Sequence, residues 1–122
     1  MMGWYERLVS RNVPNISPQE AYRRLQENAG VVIVDVRQPM ETQSGSVPGA
    51  MLIPLTEFGR RLAELPRDRP ILTICLSSHR SPLAARQLKK AGYDVTNVSG
   101  GVDAWRRAGL PFGPPSGKAG AG

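Results

Sequence analysis

Two runs constrain the fold more than any others: Val31 to Val36 (VVIVDV) and Ile71 to Cys75 (ILTIC). Each is short, almost continuously apolar and rich in β-branched side chains. A strand with one wet face alternates polar and apolar residues, whereas a strand covered on both faces does not. Both runs therefore predict interior strands of a parallel sheet. Parallel strands need crossover connections, and helical stretches lie between and after the two runs. The expected class is α/β, with right-handed crossovers.

The remaining segments fit that frame. Residues 1–14 form an N-terminal segment, with Trp4, Tyr5 and Leu8 on one side of a short amphipathic stretch from Met1 to Val13. Asn15-Ile16 is a short strand. Ser17-Pro18-Gln19-Glu20 predicts a helix start, with Ser17 as N-cap, Pro18 in the first turn and Glu20 closing a capping box. That helix turns Tyr22, Leu25 and Ala29 inward and stops at Gly30. Pro39, Gly45, Pro48 and Gly49 punctuate a loop with one helical turn near Met40 to Gln43, then Ala50 to Ile53 is a strand. Thr56 caps a helix through Phe58, Leu62 and Leu65. Ser81 to Ala91 is a helix with Leu83, Ala84, Leu88 and Ala91 at helical spacing and Gly92 as its cap. Val95 to Val98 is a last strand, and Ser99-Gly100-Gly101 turns into a helix through Val102, Trp105 and Ala108. The folded domain spans 15–112, and 113–122 is a flexible Gly- and Pro-rich tail.

The stretch Ile71 to Ser81, ILTICLSSHRS, carries the chemistry. It contains the only cysteine, Cys75, where the apolar run gives way to small polar residues. Arg80 follows five residues later, and Ser81-Pro82 open the next helix. A strand ending at a thiol, a short loop and a helix N-terminus together make an anion-holding arrangement. The same field lowers a thiol pKa from about 8.5 and favours the nucleophilic thiolate. A buried structural thiol is the plainer alternative, but a Ser-Ser-His-Arg-Ser loop is a poor setting for one. Asp35 and Arg37 stand at the carboxyl end of the first apolar run, where open parallel sheets bind ligands. They could instead pair with each other or cap nearby loops, and for Asp35 that is the preferred role.

Bulk properties narrow the class further. In 122 residues, 40% hydrophobic and 21% charged, the chain is an ordinary globular domain large enough for a core of its own. Its longest apolar run is too short to span a bilayer, and MMGWYERLVS lacks the features of a secretory signal. A single cysteine fits a reducing compartment, so the cytoplasm is expected. The net charge of +6 comes from dispersed pairs, Arg23-Arg24, Arg60-Arg61, Lys89-Lys90 and Arg106-Arg107. They lack the aromatic interleaving of a nucleic-acid face and are expected on solvated helix surfaces. Neither nucleic acid nor membrane is an expected partner. No cofactor motif is present, and one His with one Cys cannot build a protein-only structural zinc site.

Four stretches, in order, resemble the rhodanese-like sulfurtransferase family. DVRQPMETQSGSVPGAMLIPL, Asp35 to Leu55, is similar to the family's DVR-x-x-x-E…GHIPGA-x-x-IPL. CLSSHRS, Cys75 to Ser81, resembles its active-site loop; Leu83 to Tyr93 resembles its A-x-x-L…GY; GGVDAWRRAGLP resembles GG-x-x-AW…G-x-P. Together they cover roughly residues 15 to 112. The resemblance implies a three-layer fold with a five-stranded parallel sheet and helices on both faces. It implies that Cys75 accepts a sulfane sulfur as a persulfide from a small anionic donor, thiosulfate or a low-molecular-weight persulfide. An external thiol, cyanide or a protein thiol then takes that sulfur. The loop residues Leu76, Ser77, Ser78, His79 and Arg80 would bind substrate, with Asp35, Arg37 and Ser81 in support. Arg80 would either bind the donor or brace the loop.

The sequence departs from the family at Ser46, Leu76 and Ser78, which replace a common His, Arg and Gly. Ser46 is expected to affect packing, Leu76 to weaken use of thiosulfate, and Ser78 to require a backbone that tolerates a side chain. His79, the only histidine, is expected on the exposed rim. Two alternatives stand beside sulfur transfer: a non-catalytic or regulatory module, and a cysteine-dependent phosphatase or arsenate reductase. The latter use a loop one residue longer, whereas only four residues separate Cys75 from Arg80.

Overall fold

The computed structural model describes residues 13–114. Expectations for Trp4, Tyr5 and Leu8, and for the tail past Pro114, lie outside the described residues. In chain order the elements are β1 (Asn15–Ile16), α1 (Pro18–Glu27), β2 (Val32–Asp35), α2 (Pro39–Thr42), β3 (Met51–Leu52), α3 (Leu55–Arg61), β4 (Ile71–Ile74), α4 (Ser81–Lys90), β5 (Val95–Val98) and α5 (Gly101–Arg107). The five strands form one parallel sheet in the order β1-β5-β4-β2-β3. The two apolar runs pair at its centre, Val32 beside Ile71 through Asp35 beside Ile74.

Because side chains alternate across a strand, each run feeds two cores. Val34, Val36, Ile71 and Cys75 face a layer completed by Phe58 of α3 and by Ala84, Ala85 and Leu88 of α4. Ile33, Leu72 and Ile74 face the opposite layer, with Ala21 of α1 and Val102 and Trp105 of α5. Helices on both faces explain why neither run alternates. Thr73 is the polar exception in its strand: its hydroxyl donates to Asn97 Oδ1 at 3.0 Å, and Asn97 Nδ2 donates to Asn15 Oδ1 at 2.9 Å. This buried ladder ties the edge strand β1 to the centre.

Local details differ from expectation for identifiable reasons. Ser17 Oγ accepts the Glu20 N–H at 3.1 Å, but the Glu20 carboxylate turns to Arg23 and Arg24. Ala21 is the innermost residue of α1, Tyr22 and Leu25 are half-buried, and Ala29 is exposed. The helix stops earlier than Gly30, where Asn28 turns extended and its side chain accepts the Gly30 N–H. The α3 helix begins at Leu55 behind Pro54, so Thr56 is not its cap; its hydroxyl donates to Gln38 Oε1 at 3.2 Å and ties α3 to α2. Leu62–Glu64 wind as a separate 3₁₀ turn.

At the carboxyl end of β2, Asp35 is buried and fully engaged. Arg37 donates Nε to Oδ1 at 3.0 Å and Nη2 to Oδ2 at 2.8 Å, and the Ser46 hydroxyl donates to Oδ2 at 2.7 Å. Arg37 also donates to the carbonyls of Glu41 and Gly45. The pairing expected of Asp35 and Arg37 is what the structure has, and Ser46 is part of it. Removing one partner strands the other charge without solvent, a cost of about 3–5 kcal/mol. Asp35→Ala should lower the urea-unfolding free energy by that amount, and D35L/R37M should restore most of it. A loss of less than about 1 kcal/mol in the single variant would exclude this role.

Candidate active site

Cys75 sits immediately past β4, 1% exposed, with its side chain in the core layer beneath α4. The following loop curls back over the sulfur. The N–H groups of Ser78 and Arg80 point at Sγ from 3.1 and 3.3 Å. The loop then enters the ten-residue helix α4 at Ser81, whose first turn tolerates Pro82 because N–H groups there have no intrahelical partner.

The curl requires Ser78 to adopt φ 74°, a left-handed conformation that costs a side-chain-bearing residue about 1 kcal/mol or more. The Ser78 side chain offsets this. Its hydroxyl donates to Val98 O at 3.1 Å and accepts the Gly100 N–H at 2.8 Å, fastening the loop to the end of β5. On the other side, Val102 N–H donates to Cys75 O at 2.7 Å and Asp103 N–H to Leu76 O at 2.9 Å. This approach explains Gly101, where a Cβ would lie 2.4 Å from Cys75 O.

Arg80 is clasped. Its two terminal nitrogens donate to the two carboxylate oxygens of Glu41 at 2.6 and 2.7 Å. Glu41 also accepts the Gln38 N–H at 2.8 Å, and its carbonyl accepts from Arg37. A continuous path thus runs from Asp35 through Arg37 and Glu41 to Arg80. The hydrogen bonds from Arg80 hold the Glu41 carboxyl down at about 2. The folded value lies below the unfolded value of about 4.3, so the clasp adds stability above that pH. The contribution is lost as pH falls towards the folded value.

Burial pushes the Cys75 thiol up, but the Ser81 hydroxyl and the N–H groups of Ser81, Arg80 and Ser78 outweigh it and bring the thiol below its ordinary value. The α4 N-terminus adds a field of the same sign. Ser81 Oγ is wholly buried and completes no hydrogen bond in the resting site. Its donor capacity remains open to a charged sulfur.

Cys75, Ser78, Arg80 and Ser81 therefore converge on one sulfur atom. Leu76 and His79 are exposed, and His79 Nδ1 lies 2.9 Å from Ser77 Oγ. Asp35 and Arg37 are set back in the core and reach the loop only through Glu41. Glu41 and Gly101 were not among the sequence-based site residues. Their signal lay in the DVR-x-x-x-E spacing and in the Gly100-Gly101 pair, but neither is adjacent to the loop in sequence.

The model of the rhodanese-like domain matches residues 17–108. A sulfurtransferase of Allochromatium vinosum is 37% identical over 106 residues, which cover 86% of this chain and 99% of that protein. The thiosulfate sulfurtransferase GlpE of Actinobacillus pleuropneumoniae is 33% identical over 105 residues, 85% of this chain and 96% of that protein. Among solved structures, a rhodanese-related protein of Thermoplasma volcanium superposes with a TM-score of 0.76 at 28% identity, covering 81% of this chain and 96% of that one. With the parallel sheet, the thiol loop and this match over most of its length, the chain belongs to the rhodanese-like domain family.

Proposed function

We propose that this protein is a sulfurtransferase that carries a sulfane sulfur on Cys75 as a persulfide. The observation that carries the reading is the pair of N–H groups aimed at Sγ from 3.1 and 3.3 Å, which favour a sulfur anion at that point. The Cys75 thiolate attacks the outer sulfur of thiosulfate or of a persulfide. The donor S–S bond breaks, sulfite or a thiolate leaves, and a Cys75 persulfide remains. In the second step cyanide, glutathione, a dithiol or a protein thiol attacks the outer sulfur and returns the Cys75 thiolate. Cys75 is the only cysteine in the sequence, so no second cysteine of the chain can resolve the persulfide as a disulfide. An external acceptor closes the cycle. The reducing setting expected of a one-cysteine chain, the cytoplasm, would supply such thiols.

Two features weigh against phosphate chemistry. Only four residues separate Cys75 from Arg80, and the Arg80 guanidinium is already bidentate on Glu41. A phosphoryl group needs several outward-facing donors on its oxygens, whereas the two N–H groups of the loop are aimed at Sγ itself.

Wild-type protein exposed to thiosulfate or a persulfide should gain the mass of one sulfur atom, and Cys75→Ser should gain none and form no thiocyanate from cyanide. Transfer retained in the serine variant would exclude the persulfide route. Alkylation by iodoacetamide should rise with pH and level off with a midpoint below the ordinary thiol value of about 8.5, because only the thiolate reacts. Ser81→Ala should move that midpoint up, since it removes a group favouring the charged form. An unmoved midpoint would show that the Ser81 hydroxyl does not act on Cys75.

A further inference from the structure

Among the described residues, the exposed large apolar side chains are Met40, Leu76 and Leu83, at 80%, 38% and 44%. Single exposed apolar residues are ordinary on a soluble surface. These three are not scattered. Leu76 follows Cys75 directly. Met40 precedes Glu41, whose carboxylate grips Arg80. Leu83 lies in the first turn of α4 and donates its N–H to Arg80 O at 3.0 Å. Each is thus next to, or within three residues of, a residue of the thiol loop or of its Glu41 clasp.

The charge of the loop's own arginine is already neutralised. The loop's arginine is bidentate on a carboxylate, and the position after the cysteine is leucine. The Ser78 and Arg80 N–H groups are committed to Sγ. A dianion approaching a thiolate meets like-charge repulsion that unpaired cations must offset. The diffuse +6 charge of the chain speeds encounters with any anion, but does not supply a paired contact at the mouth. An alkyl persulfide carries at most one negative charge and brings carbon chain to the apolar rim.

Resting on the sulfur-transfer reading above, we propose that the donor is an organic persulfide with an apolar substituent, selected over thiosulfate by Met40, Leu76 and Leu83. The step balances without an oxidant: the Cys75 thiolate takes the outer sulfur of R–S–SH, the donor S–S bond breaks, a Cys75 hydropersulfide forms and R–S⁻ departs.

The test is the rate at which Cys75 gains one sulfur, read by intact mass. Freshly prepared n-butyl persulfide, 2-carboxyethyl persulfide and thiosulfate serve as donors, each normalised to its rate with free glutathione. Wild type should load from the butyl donor about tenfold faster than from the carboxyethyl donor, as expected for burial of a few methylenes against expulsion of a charge. The triple variant M40S/L76S/L83S should erase that preference. Independently, Leu76→Arg should speed loading from thiosulfate about tenfold, the effect of one charge-assisted contact. Equal loading from both persulfides, a preference that survives in the triple variant, or no gain for thiosulfate in L76R would overturn this inference while leaving sulfur transfer intact. Loading of wild type from none of the three would overturn both.

Discussion

The interaction on which this molecule depends is the pair of backbone N–H groups from Ser78 and Arg80 aimed at a buried sulfur. A thiol under α4 with almost no solvent access would normally be neutral and inert, because burial disfavours the thiolate. Here the loop replaces the lost water with fixed dipoles that need no reorganisation when charge appears. Everything around the loop holds those dipoles in place. Central strand pairing sets the position of Cys75, and the loop must then bend back towards it, at Ser78 against that residue's backbone preference.

Three independent anchors do the bending. The Ser78 hydroxyl bridges to the end of β5, the first N–H groups of α5 grip the carbonyls of Cys75 and Leu76, and Glu41 clasps Arg80. They come from different parts of the chain, so loosening one leaves the others. The Glu41 anchor is itself held by Arg37, and Arg37 by the fully buried Asp35. The charged residues Asp35 and Arg37 at the sheet edge thus fix the short helix that carries Glu41.

The same clasp shapes the outside of the site. It ties the guanidinium of Arg80 to Glu41, while Leu76 and His79 of the same loop are exposed and Ser77 Oγ lies 2.9 Å from His79 Nδ1. The sulfur and the outer face of the loop thus belong to separate groups: backbone N–H groups and Ser81 face the sulfur, and the side chains of Leu76 and His79 face outward.

Much of this was legible before the structure because it is local. The β-branched runs dictate interior strands, the Cys75-to-Ser81 stretch dictates a strand, loop and helix start, and motif order names the family. Pairing of Asp35 with Arg37 follows from their separation by one residue at a strand end. Helix ends were misplaced by a residue or two, since Asn28 competes with Gly30, and Pro54 with Thr56, on energies of about 1 kcal/mol. The clasp between Glu41 and Arg80 and the grip of Val102 on Cys75 O join residues 39 and 27 positions apart. Such contacts depend on how β2, β4 and β5 align in one sheet. Sequence by itself determined the class of fold, the family, and the place of the one cysteine between a strand and a loop. Tertiary structure alone decided which side chains remain free to meet a substrate, because only packing shows that the arginine of the loop is already paired.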